Sequence, residues 1–260
     1  MLKKEPLNEQ YFLGHITLDN PEKRNAFDDV LIKQLSEAFD EAEQDNRIRS
    51  VILSAQGPFF SAGADLNWMK KTATYSEDKN IEDAMNLASL MKKVNTLSKP
   101  TIALIQGNVY GGALGLIACC DIALASPGVM FCFSETALGL IPAVISPYVL
   151  AAIGERNARR YFLTAESFDT QEALRIQLIH CISDNLWADG LALAKKIVKN
   201  SPQAISHIKR LVHEIAQHPI DATIIEKTAK AIAQARASAD GREGINAFLE
   251  KRSPRWGYPE

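Results

Sequence analysis

The sequence predicts an α/β fold: a core of repeated β-β-α or β-α turns over residues 1–200, then a helical region over 201–260. Three observations carry this. Apolar runs that read as strands pass twice through small-residue loops into helix starts, over 50–66 and 99–115. The strand pattern then stops near Ser183. From Ser201-Pro202, with serine as N-cap and proline in the first turn, nearly all that follows has helical spacing.

Residues 11–18 alternate enough to form a strand, which Asn20-Pro21 ends, and Lys23 and Arg24 stand in the loop beyond. As residues alone, these cations are a solvated pair or ligands for a partly exposed phosphate. Val30, Leu31, Leu35, Ala38, Phe39 and Ala42 fall at helical spacing and give one stripe to lay on a sheet. Residues 50–55 form the next strand, and strand, helix and strand in that order favour a right-handed crossover with parallel pairing. The loop from Gln56 then reaches Asp65, available to cap a helix. Asn67, Trp68 and Met69 pack in the core or line an apolar pocket. Residues 72–79 are polar and aperiodic and read as a mobile loop. Ile81, Ala84, Met85, Ala88, Met91 and Val94 form a second helical stripe.

At 99–115 the strand Thr101 to Ile105 feeds Gly111 and Gly112, which open a helix. The first N–H groups of a helix lack partners within it and sit at the positive end of its dipole, so backbone donors here suit an oxygen. Glycines at this spacing also serve merely to pack a helix close to a sheet. The order G-x-x-x-G-G-x-x-G is not the dinucleotide fingerprint G-x-G-x-x-G. The loop ending at Asp65 is of the same kind, and two such loops can aim two N–H groups at one carbonyl oxygen that becomes an enolate.

Residues 121–125 and 129–133 read as strands, the latter ending at Ser134-Glu135. A carboxylate in apolar surroundings has its pKa raised and suits proton transfer near neutral pH; a helix cap or turn acid is the plainer reading. Residues 137–153 carry Pro142 and Pro147, are too short to span a bilayer, and read as buried protein. Asp169 and Glu172 have capping-box spacing. Cys119, Cys120, Cys132 and Cys181 lie in apolar runs without C-x-x-C pairing and read as reduced core thiols. The five histidines show no i,i+4 pairing, so no metal is expected.

With 47% apolar residues, 23% charged and a net charge of −2, the chain gives no electrostatic reason for nucleic acid or an anionic membrane as partner. Its first ten residues have no apolar core, so the expected location is cytoplasmic, with small molecules and copies of itself as partners.

Several segments resemble the enoyl-CoA hydratase/isomerase, or crotonase, family. They are Phe-Ser-Ala-Gly-Ala-Asp-Leu at 60–66, Gly-Asn-Val-Tyr-Gly-Gly-Ala-Leu-Gly-Leu at 107–116, Cys-Asp-Ile-Ala-Leu-Ala at 120–125, Phe-Ser-Glu at 133–135 and Gly-Leu-Ile-Pro at 139–142. The runs 20–27 and 243–252 extend the match along nearly the whole chain. Residues 110–116, 142–147 and 153–161 look more closely like bacterial hydratases of methylglutaconyl-CoA and related branched carboxylated acyl-CoAs.

The resemblance implies a crotonase-like spiral of ββα turns, with the helical region packing in a trimer or hexamer. It implies an enoyl-CoA hydratase that adds water across a 2,3 double bond, of the kind used in leucine or branched isoprenoid acid degradation. Catalysis is then expected from Glu135 with the N–H groups of Ala64 and Gly112. Substrate contacts are expected from Lys23, Arg24, Ala26, Ala62, Asp65, Leu66, Gly111 and Lys251. Coenzyme A is part of the substrate and no separate cofactor is expected. Ile245, Ala247, Phe248 and Leu249 suggest a docking face beside Lys251 and Arg252. An isomerase with a single glutamate is the nearest alternative, and a non-catalytic acyl-CoA-binding or RNA-binding scaffold the more distant one. A hydrolase lacks its G-x-S-x-G elbow. Typical hydratases of the family use two glutamates. Here the first falls at Gly115, where an absent side chain is expected to leave space for a water, a neighbour or the substrate's distal carboxylate.

Overall fold

A computed structural model of the chain describes residues 1–216 and 218–256. In chain order the elements are β1 (Leu2–Pro6), β2 (Phe12–Leu18), α1 (Asp29–Gln44), β3 (Ile48–Ala55), β4 (Phe59–Ser61), α2 (Leu66–Thr72), α3 (Glu77–Thr96), β5 (Thr101–Ile105), β6 (Asn108–Tyr110) and α4 (Gly112–Ala118). There follow β7 (Ile122–Ala125), β8 (Met130–Cys132), α5 (Ser146–Thr164), β9 (Phe168–Asp169), α6 (Thr170–Arg175), β10 (Cys181–Ile182), α7 (Leu186–Val198), α8 (Pro202–Ile215), α9 (Ala222–Ala237) and α10 (Ala239–Leu249).

Two sheets organise the chain, one in the order β1-β2-β3-β5-β7-β10 and one in the order β4-β6-β8-β9. The pairs β3/β4, β5/β6 and β7/β8 each put one strand into each sheet beside its predecessor, so the chain advances by one strand per turn. This is the spiral that the resemblance implied. Pairing is parallel from β2 to β10 in the larger sheet. In the smaller sheet only β9 runs antiparallel, on β8. The sequence reading missed β1, an edge strand antiparallel to β2; with two lysines in five residues it carries no apolar pattern, and backbone pairing alone suffices at an edge.

Every residue of β5 is buried. One face joins the main core with Leu18, Leu53, Phe60, Val109 and Phe131. On the other, Ile52, Ile102 and Leu104 meet Ala194 and Val198 of α7. A parallel strand covered on both faces reads as an unbroken apolar run, which is why 101–105 was recognisable. The α1 stripe is buried at Leu31, Ile32, Leu35, Ala38, Phe39 and Ala42, while Val30 faces solvent. Lys99 caps the far end of that helix: Nζ donates to the carbonyls of Ala42, Glu43 (3.0 Å) and Asp45 (2.7 Å).

Four local readings need correction. The loop expected over 72–79 shrinks to four residues, since α2 reaches Thr72 and α3 begins at Glu77 under a Ser76 cap. The segment 137–153 is not wholly buried, for Leu138, Leu140 and Ile141 are exposed. Cys119, Cys120 and Cys132 are buried, but Cys181 is exposed, because the short strand β10 is at the edge of the sheet among the described residues. α3 likewise buries only Leu90, Met91 and Val94, leaving Ile81 and Met85 in solvent.

Ser201 caps α8 by accepting from Ala204 N–H (3.0 Å) and bonds Asp240 (2.5 Å) at the start of α10. Lys209 Nζ reaches Asp121 Oδ2 (2.6 Å) and the Lys99 carbonyl (3.0 Å), fastening α8 to the loop ahead of β5. Among the described residues no helix is long and apolar enough to cross a membrane.

Candidate active site

The loop after β2 folds back on the entry to the next turn of the spiral. Asn25 is buried there; its Nδ2 donates to the carbonyls of Gln56 (2.8 Å) and Phe59 (2.9 Å), and its Oδ1 accepts from Asn20 N–H (2.8 Å). Arg24 and Asn25 both have φ of 52°, turning the chain so that Ala62 N–H meets the Arg24 carbonyl (2.9 Å). Phe27 then pairs with Ala64 in a single parallel bridge. Phe27 N–H donates to Gly63 O (2.7 Å) and Phe27 O accepts from Asp65 N–H (2.8 Å). Such a bridge engages the residues on either side of Ala64, so Ala64's own N–H points away, and no backbone carbonyl among the described residues takes it.

The second donor comes from the next turn. Gly111, at φ 54° and ψ −133°, holds a backbone closed to ordinary side chains and places Gly112 as the first residue of α4. The N–H of that residue has no partner within the helix. The segments are in contact. A Cβ on Gly63 would stand 3.2 Å from Tyr110 O, and one on Gly111 would stand 3.4 Å from Glu135 Oε1.

Glu135 opens a short 3-10 turn, Glu135–Leu138, on the third turn of the spiral. It is half-buried, and its Oε2 is buried with no hydrogen-bond partner among the described residues. Burial pushes its pKa above the ordinary carboxylate value. Three successive turns therefore set the segments that carry the Ala64 and Gly112 N–H groups beside one another and beside the Glu135 carboxyl. That arrangement can hold a developing oxyanion while a proton moves at a neighbouring carbon.

The remaining predicted residues divide. Lys23 and Arg24 are exposed, with Lys23 Nζ 3.7 Å from Asp65 Oδ2 and Arg24 over the Phe59 ring at 5.0 Å. Asp65 caps α2 by accepting from Asn67 N–H (2.8 Å) and Trp68 N–H (3.0 Å), bonds that hold its pKa below the ordinary range. Its side chain is already engaged in setting the loop. Ala26 is buried, Ala62 half-buried and Leu66 72% exposed. Lys251 is exposed at the end of α10, bonded through its N–H to Phe248 O (3.2 Å). Its neighbour Arg252 is paired with Glu243 and Glu250.

Of the three occupants expected beside Gly115, the structure shows the neighbouring side chain, and it is apolar. A Cβ there would stand 2.1 Å from Ile145 Cγ2 and 2.4 Å from Ile145 Cβ, and both residues are buried. The isoleucine fills the room beside the glycine, so no water or substrate carboxylate lodges there. Ile145 and Asn25 escaped the sequence reading as site-shaping residues, because nothing along the chain links 145 to 115 or 25 to 59.

A model of the enoyl-CoA hydratase/isomerase family matches residues 9–259. The fold is similar to that of an enoyl-CoA hydratase from Shewanella pealeana ATCC 700345, at 46% identity and a TM-score of 0.94, over 98% of this chain and 95% of that one. The mitochondrial Delta(3,5)-Delta(2,4)-dienoyl-CoA isomerase of Dictyostelium discoideum is 31% identical over 95% of this chain and 88% of its own length. The 2,3-dehydroadipyl-CoA hydratase of Escherichia coli (strain K12) is 29% identical over 92% of each. The chain belongs to the enoyl-CoA hydratase/isomerase family, an enzyme family, as the resemblance of its motifs had implied.

Proposed function

We propose that this chain is an enoyl-CoA hydratase in which the N–H groups of Ala64 and Gly112 bind the thioester oxygen and Glu135 carries the proton. Water oxygen bonds C3 as Glu135 takes its proton. The double-bond electron pair moves onto the thioester oxygen, giving an enolate, and the proton then passes from Glu135 to C2 as the enolate collapses. The reading is supported by the adjacency of the Gly63 and Gly111 segments to Tyr110 and Glu135, and by the buried Glu135 carboxyl oxygen that has no hydrogen-bond partner among the described residues. Lys23 and Arg24 suit the phosphates of coenzyme A, which enters as part of the substrate. The closer resemblance favours a branched acyl group with a second carboxylate, such as methylglutaconyl-CoA, and the Escherichia coli relative is named for a dehydroadipyl thioester.

The second reading is an isomerase. A lone carboxyl beside an oxyanion hole suffices to take a proton from one carbon and return it to another, and the Dictyostelium relative is named as a dienoyl-CoA isomerase. A panel of enoyl-CoAs including crotonyl-CoA and 3-methylglutaconyl-CoA, followed for hydration and for double-bond migration, separates the two.

Gly112 permits a direct test of the oxyanion role. It is the first helical residue, where proline is best tolerated, and the nearest atom to an added Cβ is Leu87 Cδ2 at 3.9 Å. Gly112→Pro deletes the N–H and should reduce turnover by roughly 10²–10³-fold, whereas Gly112→Ala keeps it. A folded Gly112→Pro enzyme with wild-type turnover would exclude the assignment.

A further inference from the structure

We infer that Asn25 is a positioning residue for the oxyanion site: its carboxamide sets the direction in which the Ala64 N–H points. This rests on the oxyanion reading above. The side chain is 0% exposed and ties together three backbone points, namely Asn20 N–H at the start of its loop, the Gln56 carbonyl just after β3 and the Phe59 carbonyl at the head of β4. Its own N–H returns to Asn20 O (2.9 Å), closing the corner from both sides. Asparagine is among the few side chains that occupy the left-handed region readily, and here it stands beside Arg24 at the same φ of 52°.

From this corner the chain runs two residues to Phe27, whose N–H and carbonyl hold Gly63 and Asp65 on either side of Ala64. The path from carboxamide to donor thus consists of short hydrogen bonds between backbone segments. Gln106 Nε2 holds the Phe59 carbonyl as well (3.1 Å), so the β4 side of the frame stays fixed, while on the loop side the Asn25 carboxamide works beside the backbone bond from Ala62 N–H to the Arg24 carbonyl (2.9 Å). Hydrogen bonds weaken steeply as distance and angle depart from their optimum, so slack at the corner becomes slack at the oxyanion.

The test uses butanoyl-CoA labelled with ¹³C at the thioester carbonyl, a saturated probe that cannot be hydrated. Its carbonyl stretch is read by infrared difference spectroscopy on the intact protein. Asn25→Gly accepts the same φ and removes all three side-chain bonds. Asn25→Asp keeps the acceptor for Asn20 N–H, removes both donors, and carries the comparison should Asn25→Gly not fold. Binding to wild type should lower the carbonyl frequency, and both variants should show a smaller lowering. On crotonyl-CoA their kcat should fall roughly tenfold or more with a lesser change in KM. Ser201→Ala, which removes the α8 cap, should lower the melting temperature with the carbonyl shift unchanged. A folded Asn25 variant with wild-type carbonyl shift and kcat would overturn the positioning role. A wild-type enzyme that leaves the carbonyl unshifted would instead overturn the oxyanion reading, and this inference with it.

Discussion

Glu135 keeps one carboxyl oxygen buried with no hydrogen-bond partner among the described residues, which a folded chain tolerates only at a cost to its stability. Its folded pKa is raised by burial from the ordinary 4.5. Between those two values the native state holds more protons than the unfolded one, so the contribution of this residue is favourable below about 4.5 and is lost as pH rises through the raised pKa. Glu135→Gln removes the titration. It should raise the melting temperature at pH 7, with the gain vanishing below about pH 4.5, while turnover falls roughly 10²–10⁴-fold. Calorimetry across pH and a hydration assay on the same preparation check both halves. Substantial residual hydration would end the lone-glutamate mechanism.

At the scale of elements, α4 approaches α5 closely because position 115 has no side chain and Ile145 occupies the room. Gly115→Ala should cost about 1–3 kcal/mol by overpacking, and Ile145→Ala about 2–5 kcal/mol by opening a cavity. Combined, each change relieves the other, so the double variant should cost less than the sum, by about 0.5–3 kcal/mol. Denaturant titrations of the four proteins measure this coupling, and strict additivity would show that the two residues do not share the space. Gly115→Glu alone should therefore lower stability without raising crotonyl-CoA hydration.

For the whole molecule, the C-terminal helices are underpacked within one chain. Neither α8 nor α9 buries a residue fully, α10 buries only Ala247, and Phe248 and Leu249 are 82% and 71% exposed. A helix that buries so little gains little of its stability from packing within its own chain, so a second copy is the proposed cover for this face. Light scattering should find an assembly of several chains, and Phe248→Asp should shift it toward smaller species. A wild-type monomer at micromolar concentration would refute that proposal.

Residues whose role is set by their near neighbours were readable from the chain alone. Asp65 and Ser201 cap the helices that follow them, the buried parallel strand at 101–105 is an unbroken apolar run, and Gly111 turns a strand into a helix. Each depends on interactions within a few residues or on a period of the local backbone. The tertiary structure decided what no local pattern encodes. It exposed Ile81, Met85 and Ile141 despite their apolar character, because none of the described elements covers them fully. It paired an edge strand of lysines with β2, joined Asn25 to carbonyls more than thirty residues away, and filled the glycine at 115 with a side chain from 145. Contacts of that range depend on how the turns stack, and stacking is a property of the whole fold.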